Sequence, residues 1–240
     1  MTITERITSA LQGEIFAGKL KPGARLPPER ELALTHRANR NAVREALKRL
    51  EQVGLVKTRH GSGTTVQNYL QTGNLETLVG ALSHAPDSIP QNVWRDALDF
   101  RVYHLPAIAH LAATRCDAHK THLLARQQLE LTHAQSPLAW TRAELGWTHT
   151  LVAAAENQLF VLVHNALAHA FQPGNGFSER LFEHRTELER GYQQVGELVN
   201  QRDAPRAMAR MWSLVEAERG WMGERRKAPR DMQPPWAVPY

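Results

Sequence analysis

Asn39-Arg40-Asn41-Ala42-Val43-Arg44-Glu45-Ala46-Leu47-Lys48-Arg49-Leu50 is the stretch that decides the fold. Val43, Ala46, Leu47 and Leu50 recur at the spacing of one helical face, and Arg40, Asn41 and Arg44 fall outside it. Asn39 is a good N-cap and Gly54 a good C-terminal stop. Working upstream, Pro28-Glu29-Arg30-Glu31-Leu32 starts a shorter helix with proline near its first turn. Lys21-Pro22-Gly23 breaks an earlier helix, in which Ile3, Ile7, Leu11, Ile15 and Leu20 repeat and Thr2 or Thr4 caps. Working downstream, Leu55-Val56-Lys57-Thr58 and Thr64-Thr65-Val66 are short β-branched runs. They flank Arg59-His60-Gly61-Ser62-Gly63, which reads as a hairpin. Three helices followed by a hairpin predict a winged helix-turn-helix over residues 1–68.

Charge follows the same boundary. Residues 1–68 carry twelve Lys and Arg against six Glu, whereas the rest of the chain has 17 basic and 18 acidic residues. The excess behind the net charge of +5 therefore sits in the first segment, as in a head that meets nucleic acid. The opening of the third helix carries the reading chemistry. Arginine can grip guanine O6 and N7, and asparagine adenine N6 and N7, with paired hydrogen bonds. Arg40 and Arg44 are one turn apart and share a face. Arg30 is placed to approach the duplex beside them. Arg59 and His60 can reach phosphate or the minor groove from the wing tip, with Gly61 and Gly63 allowing the tight turn.

Residues 22–66 resemble the GntR-type winged helix. The resemblance is carried by Pro22-Gly23-Ala24-Arg25-Leu26-Pro27-Pro28-Glu29-Arg30-Glu31-Leu32, by Arg40 through Leu50, by Gly54-Leu55-Val56 and by His60-Gly61-Ser62-Gly63-Thr64. It implies DNA contacts from Arg30, Asn39, Arg40, Asn41, Arg44, His60 and Gly61. The family usually has small hydroxyl residues where this chain has Asn39 and Asn41.

Residues 69–89 read as a linker with a short helix around Leu75, Leu78, Val79 and Leu82. Residues 90–228 show helical periodicity and no strand pattern, with helices expected near 91–115, 118–134, 137–155, 158–170, 178–201 and 204–225. Residues 229–240, with Pro229, Pro234, Pro235 and Pro239, are expected to be irregular. The expected class is mainly α: a winged helix-turn-helix followed by an all-α helical-bundle domain.

This second part resembles the FadR subfamily of GntR regulators. The resemblance rests on Thr72 through Leu78, Ser88-Ile89-Pro90-Gln91, Arg101, Asn157 and the spacing of Tyr192, Asp203, Ala207 and Met211. It implies a homodimer on a palindromic operator, with helices enclosing an effector cavity and the linker carrying the response. Many relatives hold a metal there through Asp-x-x-x-His and two later histidines. Matching by spacing puts Glu144, Thr148, Tyr192 and Leu214 at those places. Only Glu144 is a good ligand, so no metal and no cofactor is expected, with a metal-dependent carboxylate sensor as the alternative. His104, His164, His169 and His184 could make another site.

The metal-free branch of the subfamily senses fatty acyl-CoA. Its ligand-facing positions on the last helix fall here on Ser213, Leu214, Ala217 and Trp221, of which only the tryptophan is kept. The expected effector is an organic acid or acyl thioester that weakens DNA binding. Arg101 would be its anionic anchor, with lining from Trp147, Leu151, Tyr192, Leu214 and Trp221. Arg101 could equally form an internal ion pair with Asp99 or Glu144, and Glu218 would repel an anion near the pocket. Of the aromatic residues Trp94, Phe100, Tyr103, Trp140, Trp147, Phe160, Trp212 and Trp221, most are expected in the core.

No nucleophile motif, phosphate loop or paired-carboxylate frame supports an enzyme. Cys116, the single cysteine, precludes an internal disulfide and suggests a reducing, cytoplasmic setting. No membrane partner is expected, since no long apolar run occurs.

Overall fold

The computed structural model describes residues 1–59, 61–82, 91–168 and 177–221. The chain divides into two compact units.

The first unit opens with α1 (Ile3–Phe16), capped by Thr2 and Glu5 in a reciprocal capping box. Helix α2 (Glu29–Thr35) and helix α3 (Arg40–Gln52) follow. The inward faces of these helices supply Ile7, Leu11, Ile15, Leu32, Val43, Ala46, Leu47 and Leu50 to one core, closed by Leu55, Val56 and Val66. Strands β1 (Val56–Arg59) and β2 (Gly63–Val66) pair antiparallel, with Val56 opposite Val66 and Arg59 opposite Gly63. A bridge between Arg25 and Thr65 adds the α1–α2 connection to the edge of this hairpin. The expected winged helix is present over residues 1–66.

Beyond the wing the short helix expected around Leu75, Leu78, Val79 and Leu82 is present, and the segment that holds it is docked. Residues 69–82 form α4 (Tyr69–Thr72) and α5 (Leu75–Leu82), and both are fastened to the head. Tyr69 packs edge-on against Phe16, with ring centroids 5.4 Å apart. The Thr72 hydroxyl donates to the Gly54 carbonyl at 2.7 Å, and the buried Thr77 hydroxyl donates to the Val53 carbonyl. Gly54 is required here on two grounds. Its φ is +73°, and a Cβ would lie 2.1 Å from the Thr72 carbonyl oxygen.

The chain beyond is helical: α6 (Gln91–Arg115), α7 (Ala118–His133), α8 (Pro137–Ala154), α9 (Gln158–Ala168), α10 (Phe177–Glu183), α11 (Arg185–Asn200) and α12 (Ala204–Trp221), with residues 162–168 of α9 grouped with the first unit and residues 95–161 and 177–221 making up the second. Asp117 caps α7 and Ser136 caps α8, each accepting from a backbone N–H in the first turn. The helix expected over 178–201 is broken at His184. No proline or glycine marks that break. Tertiary stacking attends it instead: the His184 ring lies on Trp221 at 4.2 Å, and Arg185 lies over the Phe182 ring. Residues 83–90, the segment around Pro173, and the tail after Trp221 lie outside the described residues.

Candidate functional site

Helix α3 is sorted cleanly into two faces. Ala42, Val43, Ala46, Leu47 and Leu50 are buried, while Arg40, Asn41, Arg44, Glu45 and Lys48 are exposed. Asn39 serves the fold: its side-chain oxygen accepts from Ala42 N at 2.8 Å. Arg44 is held by Glu29 of α2 through two hydrogen bonds, Nε at 3.3 Å and Nη2 at 3.0 Å. That carboxylate pushes the Arg44 pKa up and fixes a long side chain on the exposed face. Glu29 carries no signal of this role in the sequence beyond its place before Arg30. Arg30 is exposed on α2, and Arg6 donates to the His36 carbonyl at 2.8 Å, tying α1 to the end of α2.

At the wing, Arg59 is exposed at the end of β1 and its carbonyl accepts from Ser62 N at 3.0 Å. Gly61 and Gly63 have φ values of +74° and +79°, so the turn uses conformations that favour glycine. His60 lies outside the described residues. The structure therefore assembles Arg30, Arg40, Asn41 and Arg44 on two successive helices, with Arg59 and Gly61 on the wing beyond.

The helical unit treats charge differently. Arg101 of α6 is buried, and its guanidinium donates to Glu218 of α12 at 3.1 Å and to Glu144 of α8 at 3.3 Å. The Tyr192 hydroxyl of α11 is placed between the same two acids, 2.9 Å from Glu144 and 3.1 Å from Glu218. Thr148 donates to Glu144 at 3.2 Å. Burial works against the Arg101 charge, but Glu218 and Glu144 outweigh it and the pKa stands above the ordinary value. Burial pushes the Glu218 carboxyl up, and burial with two neighbouring acids pushes the Tyr192 phenol well up.

Of the two partners foreseen for Arg101, Glu144 is used and Asp99 is not; Asp99 pairs with Arg219 at 2.8 Å. The cation proposed as an effector anchor is thus already matched by two carboxylates. The same arrangement does not fit a metal at Glu144, Thr148, Tyr192 and Leu214. The one carboxylate of that set is engaged by Arg101, and Leu214 packs its methyl groups where a Cβ on Gly191 would lie. Among the described residues no three His, Cys, Asp or Glu side chains gather as a metal site. His104 Nδ1 donates to the Phe100 carbonyl and the ring stacks on Phe100, and His184 stacks on Trp221. His169 lies outside the described residues. Cys116 is buried and its thiol pKa is raised by burial, the opposite of a reactive thiolate.

Trp147 and Tyr192 are both buried, with ring centroids 4.5 Å apart. They form the inner wall of a cleft of about 570 Å³ between α7, α8 and α11. Leu151 and Leu214 are buried in the core, and Trp221 is committed to His184. Of the five residues named from the sequence as effector lining, Trp147 and Tyr192 line this cleft.

An exposed basic helix beside a glycine-turned wing, on a core that closes without it, defines a DNA-binding transcriptional regulator. The chain belongs to the GntR family: the model for bacterial regulatory proteins of the gntR family matches residues 3–66. The chain is 32% identical over 172 residues to the HTH-type transcriptional regulator Mce2R of Mycobacterium tuberculosis, covering 72% of this chain and 71% of that protein. It is 32% identical over 153 residues to the fatty acid metabolism regulator protein of Shewanella oneidensis, covering 63% and 61%. Among solved structures, Lar, described as controlling the Listeria monocytogenes agr system, aligns with a TM-score of 0.56 at 18% identity, over 92% of this chain and 96% of that one. That likeness concerns the fold. Both relatives are named as regulators and neither as an enzyme. Among the described residues, no helix is long and apolar enough to cross a membrane.

Proposed function

We propose that this regulator binds a palindromic operator as a homodimer, reading bases with Arg40 and Asn41 while Arg30, Arg44, Arg59, His60 and Gly61 hold the duplex. The observation that carries this is the exposed Arg40-Asn41-Arg44 row on α3, with Arg44 braced by Glu29. A recognition helix enters the major groove by its N-terminal residues, where these side chains stand. A two-fold protein implies a two-fold site, and phosphate neutralisation makes affinity fall steeply with salt. Selection from a random DNA pool, followed by gel retardation, tests it. Two inverted half-sites bound by two chains are expected; an asymmetric site bound by one chain would overturn the reading.

The effector in this reading is an acyl compound that loosens DNA binding. Support comes from the relatives named fatty acid metabolism regulator. The matched charge of Arg101 argues that the acyl chain, and not an acid group, supplies recognition. A coupling of about 1–3 kcal/mol between effector and operator is ordinary for such regulators. Titrating long-chain acyl compounds against the protein–DNA complex tests this part. No change in operator affinity with any of them would remove it.

A further inference from the structure

The acids on the head carry a signal that its arginines alone do not. Arg40, Arg44 and Lys48 follow one another along the exposed face of α3 at one-turn spacing. Arg40 has no carboxylate partner among the described residues, whereas Lys48 pairs with Glu45 and Arg44 with Glu29. The two pairs differ in kind. Lys48 meets Glu45 of its own helix as a point charge, through one contact of 2.9 Å between exposed side chains. Such a pair rearranges at little cost. Glu29 lies on α2, and it takes Arg44 through both carboxylate oxygens, Oε1 from Nε and Oε2 from Nη2. This is the fork that suits a guanidinium, and it fixes direction as well as distance. Glu29 is itself well seated: it is half-buried, and it opens α2 directly after Pro28, whose ring restricts the backbone there.

The fork has two consequences for DNA. It occupies the side edge of the Arg44 guanidinium, Nε with one N–H of Nη2, and leaves the far edge, Nη1 with the other N–H of Nη2, as the donors that remain. It also sets a negative charge against the positive one. An arginine free to swing finds a phosphate in any register of the duplex, and its whole charge serves random and cognate DNA alike. A guanidinium held in one direction meets a phosphate only when the duplex sits in one register. On the operator, base contacts from Arg40 and Asn41 impose that register; on random DNA nothing does.

We propose that Glu29 is a specificity-determining positioning residue, which by clamping Arg44 weakens attachment to random DNA while leaving the operator contact in place. This rests on the operator reading above, in which Arg44 holds the duplex. An acid on a DNA-binding face lowers the attraction of every duplex, and it earns its place where the correct duplex loses least. Glu31 supplies the control. It is exposed on the same helix and carries the same charge, and its carboxylate has no hydrogen bond or ion pair among the described residues.

The test measures affinity of the full chain for two duplexes of equal length, the operator recovered by selection and a scrambled sequence, across a salt series. Glu29→Gln should bind the scrambled duplex more tightly and with a steeper salt dependence, and its operator-to-scrambled ratio should fall about tenfold. Glu29→Ala should repeat that loss, and thermal melts of each variant separate it from misfolding. Glu31→Gln removes the same charge without touching Arg44, and its ratio should stay within about twofold of wild type. In an Arg44→Ala background, Glu29→Gln should no longer change the ratio, because the residue it positions is gone. If Glu29→Gln keeps the wild-type ratio, if Glu31→Gln lowers it as far, or if the loss persists without Arg44, the assignment of Glu29 fails while the operator reading stands. If Arg44→Ala alone leaves operator affinity unchanged, Arg44 does not hold the duplex and both fail.

Discussion

Arginine does opposite work in the two units. On the head, Arg30, Arg40 and Arg59 are exposed, and Arg44 is braced at the surface by Glu29. In the helical unit Arg101 is sealed from water between Glu144 and Glu218. An exposed guanidinium keeps its hydration until a phosphate or base replaces it, so its worth appears in binding. A sealed one must be matched at folding, so its worth appears in stability. Residue type therefore does not identify a ligand anchor; the partners already present decide it.

The sharpest way to break this comparison is Arg101→Ala. Removing one member of a buried pair leaves Glu144 and Glu218 uncompensated, and a loss of about 3–5 kcal/mol in unfolding free energy is expected. Chemical denaturation measures it, and a loss below about 1 kcal/mol would mean that Arg101 is not a structural cation. Arg40→Ala should do the reverse. Operator affinity should fall by about 1–3 kcal/mol, with specificity blurred at one position and the melting curve unchanged. Equal losses on operator and random DNA would instead make Arg40 a phosphate contact. A smaller effect is expected at the seam between α5 and the head. Thr77→Val removes the hydroxyl that satisfies the Val53 carbonyl and should cost about 1 kcal/mol in the stability of the first unit.

The smallest expected effect is a slope with pH. Burial raises the Glu218 pKa above its unfolded value, so the folded state holds that proton more tightly. Stability from this group is fully present below the unfolded pKa and is lost as pH rises through the folded one. Glu218→Gln lacks that loss. The unfolding free energy of the variant relative to wild type should therefore shift in the variant's favour between acid and neutral pH. A difference that stays flat, or tilts the other way, would place the buried proton elsewhere.

Local grammar made the head legible. Caps at Thr2 and Asn39, the break at Lys21-Pro22-Gly23 and the β-branched run Thr64-Thr65-Val66 all act within a few residues of one another. The exposed face of α3 was readable for the same reason. What was not legible depends on partners distant in the chain. Arg101 finds Glu144 across 43 positions, a pairing the sequence offered beside Asp99 without deciding between them, and Glu218 across 117, which could be read only as a threat to an anion. The docking of α4 and α5 is carried by two threonine hydroxyls and one ring, which leave no trace in composition, so residues 69–82 read as a linker with one short helix and not as part of the head. The break at His184 coincides with aromatic stacking on Trp221, with no punctuating residue to betray it. The cleft on α7 escaped because the residues that repeat along it, Ala118, Thr121, His122, Ala125, Gln128, Leu129 and Thr132, mix polar with apolar types and show no hydrophobic stripe.

The cap on α3 has a consequence for how such a regulator could change its targets. A paired adenine contact from asparagine needs the side-chain carbonyl oxygen, and in Asn39 that oxygen is already accepting from Ala42. In the proposed reading, starting the helix and reading the operator are thus divided between neighbours: Asn39 does the first, and Arg40 and Asn41 are left for the second. A lineage can then drift at residues 40 and 41, sampling new operators, while the helix that presents them keeps its start. Evolvability here comes from a division of labour within three consecutive residues.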